Sequence, residues 1–566
     1  MERLLYARRR WHIALLGVLT LAMALPGLGS IPLLDRDEAR YAQASVQMVE
    51  SGDPVEIRLG EEARNQKPAG AYWAQAGAIL ATGGLAAQPG TTLAAQRLPS
   101  VAAAVIAVWL TYAAALPMVG RAGALLAGAM LATSLIFAFE AHIAKTDALL
   151  LSSTSAMFAA LSRLRASRAR GMAFLFWGAL GASVLIKGPV GPAIAILSVL
   201  ALLAWERKAA WARPLLNPLA MLLGAAIALP WFVAIGLATD GQFFADSLGR
   251  DFGGKLAGAA ENHGGPPGYY LATVWLSLWP ASLVLVPGAV FAWQAARRGG
   301  DAAPARGMRL VVAWVVPFWV VLEFTPTKLI HYPLPLFPAL CIAMAGAVLA
   351  VAGGNAFLRS RWIGALVFLV ASAVVIGTVL AVQVGLGDPA WTVPALAVGA
   401  VSGALALAAC LLLFTARARR AVVAAVASAL PLSLLAYGAL IPRVEAGRVS
   451  ERLARLAPPP VVSPDYTETS LLYYAGTGRV VAEPEWDNWS SWAEGSLIVA
   501  RDGDVQRAGD TSPGLQAVVA AAAARGLCLS ERGAVEGVNY SRGETVSLVV
   551  LGQVACDPAP APTAPR

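Results

Sequence analysis

The side chains best suited to chemistry in this sequence are charged groups set at the edges of long apolar runs. Leu34-Asp35-Arg36-Asp37-Glu38-Ala39-Arg40-Tyr41 closes the first such run, and Asn65-Gln66-Lys67-Pro68 follows within the same polar stretch. Glu140-Ala141-His142-Ile143-Ala144-Lys145-Thr146-Asp147 lies between two later runs. Ile186-Lys187-Gly188-Pro189 and Lys328-Leu329-Ile330-His331-Tyr332 sit at the ends of others. Asp37 and Glu38 offer carboxylates that can act as a base or orient an acceptor. Arg40, Lys67, Lys187 and Lys328 offer cations for a phosphate. Tyr41 and Tyr332 offer hydroxyls and aromatic faces for a sugar, Gln66 an amide, and Asp147 a second acid. Fixed cations stabilise the charge that develops on a phosphate leaving group without reorganising. Taken singly, Asp37–Arg40 could merely open a helix and the lysines could snorkel. Taken together, charges so close to hydrocarbon are expensive and tend to face a cavity or one another. One aqueous chamber shared by these residues is therefore expected.

The elements that must position them are membrane helices. The chain has 566 residues, 58% of them hydrophobic and only 14% charged. Such a balance requires a bilayer as solvent instead of one soluble core. Thirteen apolar runs can be drawn, at about 11–34, 101–119, 122–138, 148–164, 172–186, 190–205, 215–238, 270–293, 310–322, 334–351, 362–386, 391–414 and 421–441. The first is read as a retained span and not as a cleaved signal, because it is long and no small-residue cleavage site follows it. With the N-terminus inside, the inner connections carry most of the arginines against only Glu2, Glu206 and Asp301. That follows the positive-inside rule at every loop and leaves the C-terminal part outside. The expected class is an all-α polytopic membrane protein with a small α/β tail. Residues 1–442 form the membrane domain, with outer interfacial helices within 36–84 and 239–269, and residues 443–566 form the periplasmic domain with a Pro-rich, disordered end. In the tail, strands are expected at 461–462, 479–483, 496–500, 527–529 and 546–552, with an Ala-rich helix at 515–524. The Gly-rich stretch 253–268 reads as a lid or a linker.

Asp37-Glu38-Ala39-Arg40-Tyr41-Ala42 followed by Gln66-Lys67-Pro68 resembles the first outer loop of bacterial aminoarabinose transferases and of their relatives, the protein O-mannosyltransferases. Ile186-Lys187-Gly188-Pro189 and the stretch from Lys328 through Tyr332-Pro333-Leu334 to Pro338-Ala339-Leu340 look like the same family. The resemblance implies the GT-C fold and a prenyl-linked sugar donor. It implies transfer of 4-amino-4-deoxy-L-arabinose from undecaprenyl phosphate to lipid A phosphates on the periplasmic side of the bacterial inner membrane. Asp37 would then be the catalytic carboxylate, with Glu38 beside it. Arg40, Lys67, Lys187 and Lys328 would hold the donor phosphate, and Tyr41, Gln66, Tyr332 and Asp147 would line the sugar and lipid site. Gln66 stands where relatives often carry Glu. Another GT-C transferase of the O-mannosyl type is the nearest alternative, and a lipid transporter or flippase is the alternative from a different class.

Other functions lack support. The basic residues fall between apolar runs and form no stripe, which argues against nucleic acid as a partner. There is no Walker loop, no strand-then-GxGxxG unit and no CxxC pair. No cofactor is expected, since the lipid-linked sugar is a substrate. A divalent metal could use outer His and acids, yet no ligand spacing marks one, and His142, His263 and His331 read as ordinary surface histidines. Cys341 and Cys410 read as buried hydrophobes. Cys528 and Cys556 lie on the oxidising side, where a disulfide between them can form. The expected partners are the lipid-linked amino sugar, lipid A and membrane lipids, bound by a monomer.

Overall fold

The computed structural model describes residues 9–33, 36–84, 89–167, 169–254, 264–298, 300, 302–351, 361–415, 417–463, 466–481, 495–501, 506–507, 510–511, 514–524, 526–539 and 543–554. Its helices in chain order are α1 (Arg9–Ala24), α2 (Arg36–Ser51), α3 (Gly70–Ala81), α4 (Pro89–Ala132), α5 (Leu135–Ala141), α6 (Asp147–Ser167), α7 (Met172–Lys187), α8 (Val190–Glu206) and α9 (Pro218–Ala238). There follow α10 (Tyr269–Ser277), α11 (Leu285–Arg298), α12 (Ala303–Phe324), α13 (Phe337–Val351), α14 (Arg361–Leu386), α15 (Thr392–Phe414), α16 (Ala418–Leu435), α17 (Val449–Leu456), α18 (Thr469–Ala475) and α19 (Gly514–Ala523). Two units divide them. The first takes Met1–Gly29, Gly52–Ile57 and Ala63–Ile441; the second takes Ser30–Ser51, Arg58–Glu62 and Pro442–Arg566.

Every apolar run of the sequence falls on helix in the first unit, with informative departures. The first run ends early: α1 stops at Ala24, before Pro26 and a left-handed Gly27 with φ 75°. Pro withholds an N–H, and Gly accepts the positive φ that closes a helix. Two runs merge into α4, which breaks at Gly120 (φ 69°, ψ −176°). The run expected at 270–293 is not straight. Its two helical parts, Tyr269–Ser277 and Ala281–Arg298, meet at 117° around Pro280. Among the described residues, six helices are long and apolar enough to cross a membrane unaided, or seven with the bent pair. The shorter ones, such as α7 and α8, must borrow flanking residues or pack inside the bundle.

Hydrophobic attraction does not hold helices together in lipid, so close approach must. A Cβ added to Gly181 of α7 would lie 2.4 Å from the Gly224 carbonyl oxygen of α9. One added to Gly224 would lie 2.6 Å from the Trp177 carbonyl oxygen. The Asn217 side chain caps α9, accepting from the amides of Leu219 (2.9 Å) and Ala220 (3.3 Å). At the same end of the bundle, the Arg165 guanidinium of α6 grips the Glu206 carboxylate of α8 with two bonds of 2.9 and 2.5 Å. Arg309 of α12 reaches the same carboxylate at 3.4 Å. A bidentate arginine fixes geometry as well as charge.

In the second unit, α2 begins with Asp37 and Glu38 in its first turn and ends before a left-handed Gly52 (φ 69°). Acids suit the positive N-terminal end of a helix. The expected one-sided interfacial helix is not what forms. Glu38, Ala39, Tyr41 to Ser45, Gln47 and Met48 are all buried. Small Ala and Ser residues let neighbours close in on several faces.

The tail carries a five-stranded mixed sheet. Its strands are β1 (Val461–Val462), β2 (Val480–Val481), β3 (Ser496–Ala500), β4 (Cys528–Asn539) and β5 (Glu544–Val554), in spatial order β2-β1-β3-β5-β4. β1 runs parallel to β2 and to β3, while β5 pairs antiparallel with β3 and β4. Strand period places Ile498 and Ala500 against one core with Leu453 and Leu471, and Leu497 and Val499 against another with Ala522. β4 is far longer than the three residues expected, because its many polar positions hide it from a search for apolar strands. Cys528 is disulfide-bonded. Cys556, its expected partner, lies outside the described residues, as do Arg479–Glu483 beyond Val481, most of the Gly-rich stretch and His263.

A branched side chain at the Gly181–Gly224 crossing should force α7 and α9 apart. Gly224→Val is expected to cost about 1–3 kcal/mol and to lower the unfolding temperature in detergent. Gly77→Ala, where an added Cβ meets nothing within 4 Å and Ala suits the helix better than Gly, should not lower that temperature.

Candidate active site

The expected site residues fall into both units. Asp37, Glu38, Arg40 and Tyr41 belong to the second, and Gln66, Lys67, Asp147, Lys187, Lys328 and Tyr332 to the first.

Within the first unit, three segments converge on one charged cluster. Glu140 closes α5, Asp147 opens α6, and Lys187 closes α7. The Lys187 ammonium lies 2.5 Å from Asp147 Oδ1. Lys145, on the turn between α5 and α6, bridges Glu140 at 3.3 Å and Asp147 at 3.8 Å. His331 arrives from the loop after α12, with Nδ1 3.5 Å from Glu140 and Nε2 3.8 Å from Asp147. Lys187 also stands 5.6 Å from the centre of the Tyr332 ring, a cation–π distance. Glu140, Lys145 and Asp147 are nearly inaccessible, while 16% of the Lys187 side chain is exposed. Of the two lysines in the cluster Lys187 is the more exposed, and Asp147 already orients it.

Ligand atoms of Glu140, Asp147 and His331 lie within 4.8 Å of one another. Their types suit a divalent ion. Two lysines already neutralise the same carboxylates, however, so an incoming cation would have to displace an ammonium. The expectation of plain surface histidines fails at both described positions. His331 sits between two acids. His142 is 2% exposed, stacks on Tyr437 at 3.8 Å, and has ring nitrogens 2.8 Å from the Ala138 carbonyl oxygen and 3.1 Å from that of Pro26.

Lys328 is differently placed. Its ammonium donates to the carbonyls of Leu322 (2.8 Å), Glu323 (2.7 Å) and Thr325 (2.6 Å), at the end of α12. An ammonium has three protons to give, and all three are directed into the protein. Burial pulls its pKa below the ordinary lysine value. Glu323, unremarked in the sequence, accepts from the amides of Gly268 (2.8 Å) and Leu271 (3.1 Å) and so caps α10. Together these bonds hold the loop that carries His331 and Tyr332.

Gln66 is exposed and accepts from Arg64 at 3.1 Å, and Arg64 donates to the Tyr72 hydroxyl at 2.8 Å. Lys67, beside it, is half-buried. In the second unit, Arg40 lies 3.7 Å from Asp37, one helical turn along α2, and Glu38 and Tyr41 are buried.

A family model described as dolichyl-phosphate-mannose-protein mannosyltransferase matches residues 67–235, the stretch that holds Lys67, Asp147 and Lys187. The undecaprenyl phosphate-alpha-4-amino-4-deoxy-L-arabinose arabinosyl transferase of Edwardsiella ictaluri is 29% identical over 356 residues, covering 61% of this chain and 60% of that relative. The corresponding transferase 1 of Sodalis glossinidius is 31% identical over 345 residues, covering 58% of each. The chain therefore spans about 60% of the length of these relatives. A crystal structure of ArnT from Cupriavidus metallidurans bound to undecaprenyl phosphate matches with a TM-score of 0.71 at 20% identity, over 96% of this chain and 98% of that one. The fold is that of ArnT. The names of these relatives and the ArnT fold agree with the family that the sequence resembles.

Within that fold, the sequence reading places Glu140, Lys145 and His331 among charges expected to face one another but gives them no role in the site. For Glu140 and Lys145 the signal is the alternation of charges across 140–147, which the α5–α6 turn converts into proximity, while His331 joins from the loop after α12. Removing one partner of a buried ion pair leaves an uncompensated charge. Asp147→Ala, which abandons both Lys145 and Lys187, is expected to cost about 3 kcal/mol or more. Asp147→Asn should cost less, and thermal unfolding of the two purified variants against wild type checks the order.

Proposed function

We propose that this chain transfers 4-amino-4-deoxy-L-arabinose from undecaprenyl phosphate to a lipid A phosphate, at the periplasmic face of the bacterial inner membrane. The observation that carries the reading is the partly exposed Lys187, pre-oriented by Asp147 in a chain with the ArnT fold. In this reading Lys187 and Lys67 meet the donor phosphate. Gln66 and Tyr332 line the sugar and lipid. Lys328 acts through the loop it braces and not by direct contact, since its protons point to carbonyls. The N-terminus is cytoplasmic and the tail periplasmic, as the arginine distribution requires.

The acceptor sets the demands on the acids. A phosphate monoester is ionised at neutral pH, with a second pKa near 6, so it attacks without a base. A phosphate oxygen of the acceptor forms the bond to the anomeric carbon. The bond from that carbon to the donor oxygen breaks, and its electron pair leaves with undecaprenyl phosphate. Asp37, with Glu38 beside it, orients the acceptor or stabilises positive character at the anomeric carbon. Single displacement with inversion follows, with no covalent sugar–enzyme intermediate. Lysines supply the compensating charge, so no metal is needed for the step.

Mass spectrometry of lipid A from cells with and without the protein tests the substrate. The expected gain is one pentosamine on each modified phosphate, and unmodified lipid A alongside sugar-labelled protein would point to an O-mannosyl-type activity instead. Asp37→Ala should lower kcat by at least about 100-fold, the scale set by loss of a transition-state electrostatic contact. Chelation with EDTA should leave the rate within about twofold of the untreated enzyme, as expected when fixed cations perform the electrostatic work. Loss of activity restored by added zinc or manganese would refute the metal-independent mechanism.

A further inference from the structure

The second unit joins two pieces of chain hundreds of residues apart, and the joints are polar and specific. The Gln43 amide of α2 donates to the Thr477 hydroxyl at 2.8 Å, with Gln43 1% exposed. The Leu33 backbone amide, just ahead of α2, donates to the Tyr474 hydroxyl at 3.3 Å. The Arg448 guanidinium donates to the Ser30 carbonyl at 2.6 Å and to the Pro442 carbonyl at 2.6 Å, and pairs with Glu451 at 2.5 Å. α18 supplies Tyr474, and Thr477 follows it on the turn that Gly476 and Gly478 open with positive φ. At its far end α2 is held by a reciprocal pair, Gln47 Nε2 to the Gly60 carbonyl and the Gly60 amide to Gln47 Oε1, both 2.9 Å.

These bonds bear on α2 on either side of Asp37 and Glu38. Leu33 lies four residues before Asp37, and Gln43 lies five after Glu38. A helix that is anchored ahead of its first turn and again in its second has little freedom to rotate or slide. Its first-turn carboxylates inherit that restraint. This part-buried amide–hydroxyl bond also gives register, because the buried Gln43 amide left alone would carry a desolvation cost.

We infer that the tail domain is a working part of the enzyme, with Thr477 and Tyr474 as positioning residues that fix the carboxylates of α2 through Gln43 and the Leu33 amide. The inference rests on the function proposed above only in that Asp37 and Glu38 carry the chemistry. Catalytic groups need placement within about 0.5 Å, and such placement comes from surrounding hydrogen bonds. A rigidly held α2 would show up in turnover more than in donor binding, since the phosphate contacts proposed above lie largely on other segments.

The test is a double-mutant cycle in the full-length protein, reconstituted with undecaprenyl-phosphate-linked aminoarabinose and lipid A. Gln43→Ala and Thr477→Ala are each expected to lower kcat by about three- to tenfold with donor KM within about twofold of wild type, the split that marks an interaction realised in the transition state. The double variant should lose no more than the worse single one, because coupled sites are non-additive. Thr477→Ser keeps the hydroxyl and should retain wild-type kcat; Tyr474→Phe removes one and should lower it. Thermal unfolding of each variant identifies any that fail to fold, and Tyr474→Phe, the smallest change, stands in for those. A folded Gln43→Ala/Thr477→Ala variant with wild-type kcat would overturn the inference, as would losses that multiply across the cycle. Asp37→Ala measured alongside separates the two readings. If it abolishes transfer while the double variant does not, only the positioning role fails; if it leaves transfer intact, the assignment of chemistry to α2 fails first.

Discussion

Charge that enters a low-dielectric environment must be neutralised there, and this constraint organises the membrane unit. α6 makes the point at both of its ends. Asp147 opens the helix against Lys187 and Lys145, and Arg165 in the last turn closes it against Glu206. Each sign also matches the helix dipole, acid at the N-terminus and base at the C-terminus. The helix is therefore pinned to α7 at one end and to α8 and α12 at the other. A segment with six Ser and Thr among apolar residues would otherwise have weak reason to hold one depth or one rotation. The ion pairs need not add net stability, since desolvation offsets much of the attraction. What they impose is register, because a slip by one turn would leave a charge alone.

The same constraint explains what could be read from the sequence and what could not. Helix existence was legible, because apolar runs of membrane length have few other solutions. So were β1 and β3, and the cluster's raw material, because charged residues beside apolar runs are conspicuous. The bend at Pro280 was not legible as an angle, since a proline in an apolar stretch predicts a kink and not its 117°. Lys328 stood out by the same rule as Lys187. Only coordinates separate a lysine that faces an acid at the mouth of a cluster from one that closes the end of α12. Residue type gives the charge; the local backbone decides where it is spent. The identity of α2 as part of the tail's unit was invisible for a further reason. Its anchors, Gln43, Thr477, Tyr474 and Arg448, are ordinary surface residues in composition, and nothing in their spacing joins residue 43 to residue 477.

Long-range joints of that kind are costly to close. Bringing ends together over some four hundred residues costs loop entropy, though the cost grows only logarithmically with length. A membrane bundle reduces it further, because helices already tethered in a bilayer bring their outer ends to one surface. The tail can thus serve as a clamp whose strands need no sequence kinship to the loop they hold. Its sheet supports this by having both faces covered, with Leu453 and Leu471 on one side and Ala522 on the other. A clamp that was itself half-solvated would transmit little restraint.

Gln66 shows how one neutral side chain can tune such a site. Its amide oxygen accepts from Arg64 at 3.1 Å, the same hydrogen bond a glutamate would accept. The difference is charge and not shape. With an amide at 66, the stretch Arg64-Asn65-Gln66-Lys67 holds two cations and no anion. A glutamate would have cancelled one of them. For a donor that joins a phosphate to an amino sugar, the two ends respond oppositely: the phosphate gains from the extra positive charge, and a protonated amine loses a partner. A half-buried Lys67 feels this more than an exposed one would, because screening weakens with burial. The amide therefore leaves the positive charge of Arg64 and Lys67 uncancelled in this stretch, which is the one difference a glutamate at 66 would remove.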